Sequence, residues 1–215
     1  MIVELKNVSK TLKKQRVIND VSIKFTPGKI YGIIGRNGSG KTVLLKMICG
    51  IFTPDTGSIL FDGEETIKKT GVPKNTRALI ENPEMINELS GYENLKLISE
   101  IQKTISDEDI YKSLELVGLK GEEHKKYKDY SLGMKQKLGI AQVIMEDSDM
   151  IILDEPFNGL DEASVENMRK LFSNLKKENK IIIIATHIKE DIEKLIDDLY
   201  RIDDGKLIHE NKNKK

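Results

Sequence analysis

Apolar and polar residues alternate in Ile2-Val3-Glu4-Leu5 and again from Val17-Ile18 through Val21-Ser22-Ile23-Lys24-Phe25, ahead of the turn signal Thr26-Pro27-Gly28. A period of two predicts half-buried strands, so the chain should open with a small antiparallel sheet. Ile30-Tyr31-Gly32-Ile33-Ile34 then runs into a glycine-rich segment at 35–42 and the helical stretch Val43-Leu44-Leu45-Lys46-Met47-Ile48, a strand-loop-helix unit. From about residue 83 to 145 the period becomes helical, with apolar positions at Leu95, Ile98 and Ile101, at Ile110, Leu114 and Val117, and at Met134, Leu138, Ala141 and Met145; a mostly helical insert is expected there. Met150-Ile151-Ile152-Leu153 and Ile181-Ile182-Ile183-Ile184 are apolar at every position, as strands of a parallel sheet covered on both faces are. A helix over 163–177 links them, which implies a right-handed crossover in an α/β fold. Alternation in Leu199-Tyr200-Arg201-Ile202 and Lys206-Leu207-Ile208-His209 flanks Asp203-Asp204-Gly205 and predicts a hairpin, followed by a solvated, frayed tail at 211–215. No internal repeat or low-complexity linker interrupts this order.

Length and charge narrow the classes. At 215 residues the chain is expected to be one domain, 1–215, carrying the helical insert at about 83–145. Lys+Arg and Asp+Glu both number 35, for a net charge of +0, which argues against direct nucleic-acid or anionic-membrane binding through bulk charge. The most apolar run, Ile181-Ile182-Ile183-Ile184-Ala185, is far shorter than the roughly 18 residues of a membrane-spanning helix, so no crossing is expected. The start lacks the apolar stretch of a signal peptide, and the single Cys49, read as a core residue, cannot make an internal disulfide. A cytosolic, reducing location follows as the expectation.

Two motifs carry chemistry. Gly35-Arg36-Asn37-Gly38-Ser39-Gly40-Lys41-Thr42 matches the P-loop, whose backbone N–H groups wrap phosphates while the lysine reaches the β/γ oxygens and the hydroxyl binds Mg²⁺. The helix from Val43 onward points its positive end at the same anion. Ile151-Ile152-Leu153-Asp154-Glu155-Pro156 is an apolar strand ending in two carboxylates, as a Walker B site is built. Asp154 would support the metal, and Glu155 would take a proton from, or orient, the attacking water. A nucleoside triphosphate and Mg²⁺ are therefore the expected ligands. The charged segment at 120–128 reads as a solvated face, and His209 has no second His or Cys at ligand spacing.

Further motifs resemble one family, the ATP-binding subunits of ABC transporters. Tyr130-Ser131-Leu132-Gly133-Met134-Lys135-Gln136 is similar to its signature motif, Asn158-Gly159-Leu160-Asp161 to its D-loop, and Ala185-Thr186-His187 to its switch histidine. The resemblance spans nearly the whole chain and implies a P-loop NTPase fold of ABC ATPase type. In it, a mostly parallel sheet carries an antiparallel β-subdomain at its start and a helical subdomain insert. It also implies that Ser131 and Gly133 of one chain complete the phosphate cage of another in a head-to-tail dimer, that Gln136 of the signature contacts the nucleotide, that Asp161 braces the interface, and that His187 meets the γ-phosphate or the catalytic water. The implied partner is an integral membrane transporter subunit on a separate chain, with this chain peripheral on the inner face of the membrane.

The sequence departs from the family pattern in places. Leu12 stands where an aromatic residue usually stacks on adenine, and Glu81 replaces the switch-loop glutamine, which makes it a candidate third metal contact beside Thr42 and Asp154. The signature reads Ser-Leu-Gly-Met. Glu81 and the signature variant resemble the branch that exports, or gives immunity to, bacitracin-like and lantibiotic-like peptides. A nucleotide-dependent switch acting on a protein or nucleic-acid partner without transport is the alternative, and a P-loop kinase a third reading that explains neither the signature nor His187.

Overall fold

The computed structural model describes residues 1–65, 71, 73, 75–81, 84–103 and 105–210. Strands β1 (Val3–Leu12), β2 (Gln15–Phe25) and β4 (Thr56–Phe61) form an antiparallel sheet in the order β2-β1-β4. A second sheet of six strands has the order β5-β6-β7-β3-β8-β9, from β3 (Lys29–Ile34), β5 (Thr76–Leu79), β6 (Met150–Asp154), β7 (Ile181–Thr186), β8 (Asp198–Asp203) and β9 (Lys206–Glu210). All its pairings are parallel except β8 with β9. Among the described residues the α-helices are α1 (Lys41–Ile48), α2 (Gly91–Gln102), α3 (Asp107–Leu116), α4 (Leu132–Ile144), α5 (Glu162–Lys177) and the short α6 (Lys189–Ile192).

The all-apolar strands behave as their composition demands. Ile182 and Ile184 face one hydrophobic cluster with Ile151 and Leu153, while Ile181, Ile183 and Ala185 face another with Met150 and Ile152. The first cluster is closed by helices α2–α5 through residues such as Leu95, Leu114, Leu138 and Phe172. The second is closed by α1 and the antiparallel sheet through Leu44, Met47, Val3 and Phe25. Each strand thus buries both faces, which stabilises it by roughly 1.5–3 kcal/mol per fully buried aliphatic side chain before entropy is counted. Capping boxes start α2 and α3, with Ser90 paired to Glu93 and Ser106 to Asp109.

The structure corrects the sequence expectation in several places. Strands β4 and β5 were not foreseen, since Thr56-Gly57-Ser58 opens like a turn and Thr76-Arg77-Ala78-Leu79 is short and mixed. Ile101, expected on the apolar face of its helix, is 79% exposed, because the periodic face of α2 is covered only as far as Ile98. Cys49 is buried, and burial pushes its thiol up to about 12, in keeping with a core role. Most of 120–128 is exposed, but Tyr127 is buried beneath the Lys135 ammonium, which lies 4.9 Å from its ring centroid. The tail at 211–215, and Asn82 and Pro83 after Glu81, lie outside the described residues. Among the described residues no helix is long and apolar enough to cross a membrane.

Candidate functional site

The P-loop follows β3, the two carboxylates end β6 and follow it, and His187 follows β7. In the order β6-β7-β3 these are neighbours, so three loops at the carboxyl ends of parallel strands meet, which is where open α/β sheets bind ligands. Helix α1 begins at Gly40, whose φ is 108°, with no side-chain cap and no acidic residue in its first turn. A Cβ on Gly40 would come within 2.9 Å of the Val17 carbonyl oxygen, so both the backbone angle and the close approach require glycine there. The first-turn N–H groups are left open toward an anion.

Arg36, Asn37, Gly38, Gly40, Lys41, Thr42 and Val43 line a cavity of about 380 Å³ together with Glu81, Gln136, Asp154 and Glu155. Gly35 and Ser39 line the adjoining cavity of about 680 Å³ with His187. Lys41 is only 6% exposed; its Nζ donates to the Gly35 carbonyl at 2.8 Å and stands 3.6 Å from Glu155 Oε1. Thr42 Oγ1 donates to Asp154 Oδ2 at 2.6 Å, while Asp154 Oδ1 is buried with no hydrogen-bond partner. Burial raises the Asp154 carboxyl above its ordinary value, and the nearby Glu155 and Glu81 charges push the same way, against the Thr42 hydroxyl. An orphaned carboxylate oxygen beside a hydroxyl fits a hard dication whose other ligands are phosphate oxygens and water. Among the described residues no three His, Cys, Asp or Glu side chains gather into a cage for a metal.

Glu155 is the most constrained residue of the site. Its φ of 50° is left-handed, a conformation that costs a non-glycine residue about 1–3 kcal/mol. Its N–H donates to the Ala185 carbonyl at 2.8 Å, and its own carbonyl accepts from Gln136 Nε2 at 3.2 Å. Thr186 Oγ1 donates to Oε2 at 2.7 Å, and His187 places its Nδ1 2.9 Å from Oε1.

The other expected site residues divide by position. Ser131 caps α4 by accepting from the Met134 N–H at 3.2 Å, and Gly133 lies so close to the D-loop that a Cβ would reach 2.8 Å from the Gly159 carbonyl oxygen. Neither lines the P-loop cavity of its own chain. Gln136, from the same motif, does line it, and its Nε2 donates to the Glu155 carbonyl. Asp161 caps α5, accepting from the Ser164 N–H at 2.7 Å, and that bond holds its carboxyl below the usual range. Leu12 lines neither cavity, whereas Val17 lines both. Glu81 lines the P-loop cavity, and its carboxylate pairs with Lys46 Nζ at 2.7 Å on α1.

Lys46, Val17 and Thr186 were not assigned to the site from sequence. Thr186 carried a usable signal, a polar residue ending a strand that is otherwise wholly apolar. The other two carried none, because their partners are distant in the chain.

Residues 18–158 match the family model described as ABC transporter. The chain is 41% identical over 206 residues to the uncharacterised ABC transporter ATP-binding protein YybJ of Bacillus subtilis (strain 168), covering 96% of this chain and 94% of that one. It is 37% identical over 213 residues to the bacitracin transport ATP-binding protein BcrA of Enterococcus faecalis, with 97% and 68% covered. It is 34% identical over 209 residues to the lantibiotic transport ATP-binding protein SrtF of Streptococcus pyogenes, with 97% and 90% covered. A solved ATP-binding subunit of an ABC transporter superimposes with a TM-score of 0.87 at 25% identity, covering 98% of this chain and 90% of that one.

Proposed function

The chain belongs to the ABC transporter family as an ATP-binding, ATP-hydrolysing subunit, and we propose that it drives an integral membrane partner on a separate chain by closing head to tail with a second ATP-binding subunit. The observation that carries this reading is the division of the site. Lys41, Thr42, Asp154 and Glu155 converge on one cavity, while Ser131 and Gly133 lie off it, so their donors and the positive end of α4 are free for a phosphate held by another chain. Leu132, 68% exposed beside Ser131, would be covered in such a dimer.

In this reading Lys41 leaves its loop carbonyl for the β/γ oxygens, and Thr42 and Asp154 hold a divalent cation. When bound there, it would supply charge stabilisation for the transferred phosphate. Glu155 accepts the proton of a water whose oxygen attacks the γ-phosphorus, as the bond from that phosphorus to the β–γ bridging oxygen breaks and ADP departs. His187 turns to the γ-phosphate, and Asp161 braces the facing chain. The chain acts as one domain whose insert, 83–145, meets the membrane partner. Ile86, Leu97 and Ile101, which are 46%, 53% and 79% exposed, supply the apolar contacts. The chain then sits on the cytoplasmic face of the membrane, and the peptide antibiotics named for BcrA and SrtF are its proposed cargo class. Gentle detergent extraction of native membranes should co-purify one integral protein with this chain. Recovery with no integral protein would favour a switch that works without transport.

Base discrimination should be loose. No Phe, Tyr or Trp lines either cavity among the described residues, and Val17, which lines both, is aliphatic. GTP should compete with ATP within about tenfold, since roughly 1.4 kcal/mol corresponds to that ratio. A preference for ATP of about a hundredfold in competition titrations at fixed Mg²⁺ would contradict this.

Glu81 should make closure metal-dependent. Its carboxylate accepts but cannot donate, so it favours metal and water over phosphate, and its exposed pair with Lys46 is worth at most about 1 kcal/mol to break. Glu81→Gln should reduce the Mg²⁺ dependence of ATP-driven dimerisation in a Glu155→Gln background without altering nucleotide affinity. Superimposable Mg²⁺ titrations with and without the change would refute it.

A further inference from the structure

Thr186 is buried at the end of β7, and the register Asp154↔Ala185 between β6 and β7 puts it beside Glu155. Its hydroxyl has one proton and is committed on both sides. Oγ1 accepts from the Ile188 N–H at 3.2 Å, which leaves the proton directed at Glu155 Oε2, 2.7 Å away.

The two oxygens of Glu155 therefore have different partners. Oε2 is held by the Thr186 hydroxyl and, at 3.3 Å, by the His187 backbone N–H, both fixed by the end of β7. Oε1 faces His187 Nδ1 at 2.9 Å and Lys41 Nζ at 3.6 Å, the two groups that the proposed function turns toward phosphate. Once those two are drawn away, Oε1 is the oxygen left for water, while Oε2 keeps both anchors. The backbone of Glu155 is tied separately, by Ala185 and Gln136, so side-chain aim falls to Thr186.

We propose that Thr186 is a positioning residue for hydrolysis: it locks Oε2 so that Oε1 of Glu155 is presented to the attacking water. This rests on Glu155 being the proton acceptor. A charge-assisted bond from the pre-aimed hydroxyl of a buried residue is the kind of contact that sets a carboxylate's orientation within catalytic tolerance.

Thr186→Val keeps the shape and removes the donor. In the full chain it should lower kcat about ten- to a hundredfold while nucleotide affinity stays within about threefold, and Thr186→Ser, which restores the hydroxyl, should recover the rate to within about threefold. With hydrolysis slowed and binding intact, Thr186→Val should also accumulate the ATP-bound dimer. Because the residue acts through Glu155, adding Thr186→Val to Glu155→Gln should cost no further activity in single-turnover measurements. Undiminished turnover in Thr186→Val, no recovery in Thr186→Ser, or a full additional loss in the double variant would overturn the proposal. If Thr186→Val does not fold, Thr186→Ala is judged by the same three comparisons. Wild-type hydrolysis in Glu155→Gln alone would instead remove the assignment of Glu155 on which this rests.

Discussion

Glu155→Gln should bring ATP hydrolysis down by a factor of about 10²–10⁴, the range by which a positioned general base accelerates proton transfer. That loss corresponds to about 2.7–5.4 kcal/mol of transition-state stabilisation. Gln keeps the size of the side chain and its bond from Thr186 Oγ1, so the left-handed turn at 155 and its ties to Ala185 and Gln136 should survive. Only the ability to take a proton is lost. Asp154 cannot substitute, because Thr42 and the proposed metal occupy its two oxygens. ATP affinity should be retained or improved, since removing a negative charge 3.6 Å from Lys41 leaves that cation freer for phosphate. With binding intact and turnover blocked, the ATP-bound dimer should accumulate, and size exclusion with and without ATP measures it directly. Hydrolysis at the parent rate in this variant would move the catalytic base elsewhere.

Lys41→Ala should weaken ATP binding about ten- to a hundredfold, because a hydrogen bond to a charged group in a buried setting contributes about 1.5–3 kcal/mol. Lys41 is nearly sequestered and already spends its protons on the Gly35 and Arg36 carbonyls, so its loss also leaves Glu155 without a cationic neighbour. Ser131→Ala should fail for another reason: it removes the cap of α4 and, in the proposed dimer, a γ-phosphate donor to the facing chain. The two defects then lie on opposite sides of a shared site. Mixing the two variants should produce heterodimers with one site lacking both groups and one site intact, seen as recovered nucleotide trapping. Proven heterodimers without recovery would exclude the composite geometry.

Much of this site was legible in local sequence. The P-loop spacing, the strand ending in Asp154 and Glu155, and the histidine after the isoleucine strand each combine a short period with turn chemistry, which local residues largely set. Edge strand β5 was not, since a strand of four mixed residues has no period to read. Gln136 shows the limit of motif grouping. It belongs by position to the signature, yet it lines the cavity of its own chain while Ser131 and Gly133 do not.

The sequence by itself determined that this chain folds as a covered parallel sheet around a phosphate-binding loop. Strands apolar at every position can be stable only when both faces are buried, and glycines at 35, 38 and 40 let the loop turn tightly and its backbone approach an anion. Only the tertiary structure decided which groups face one another. Thr42 meets Asp154 across 112 residues of chain, Lys46 meets Glu81 across 35, and Thr186 meets Glu155 across 31. These partners are brought together by the strand order β6-β7-β3 and by the placement of α1 against it, which follow from long-range packing. A residue's own neighbours in sequence can set its period and its turn, but the direction of its proton depends on what the fold places opposite.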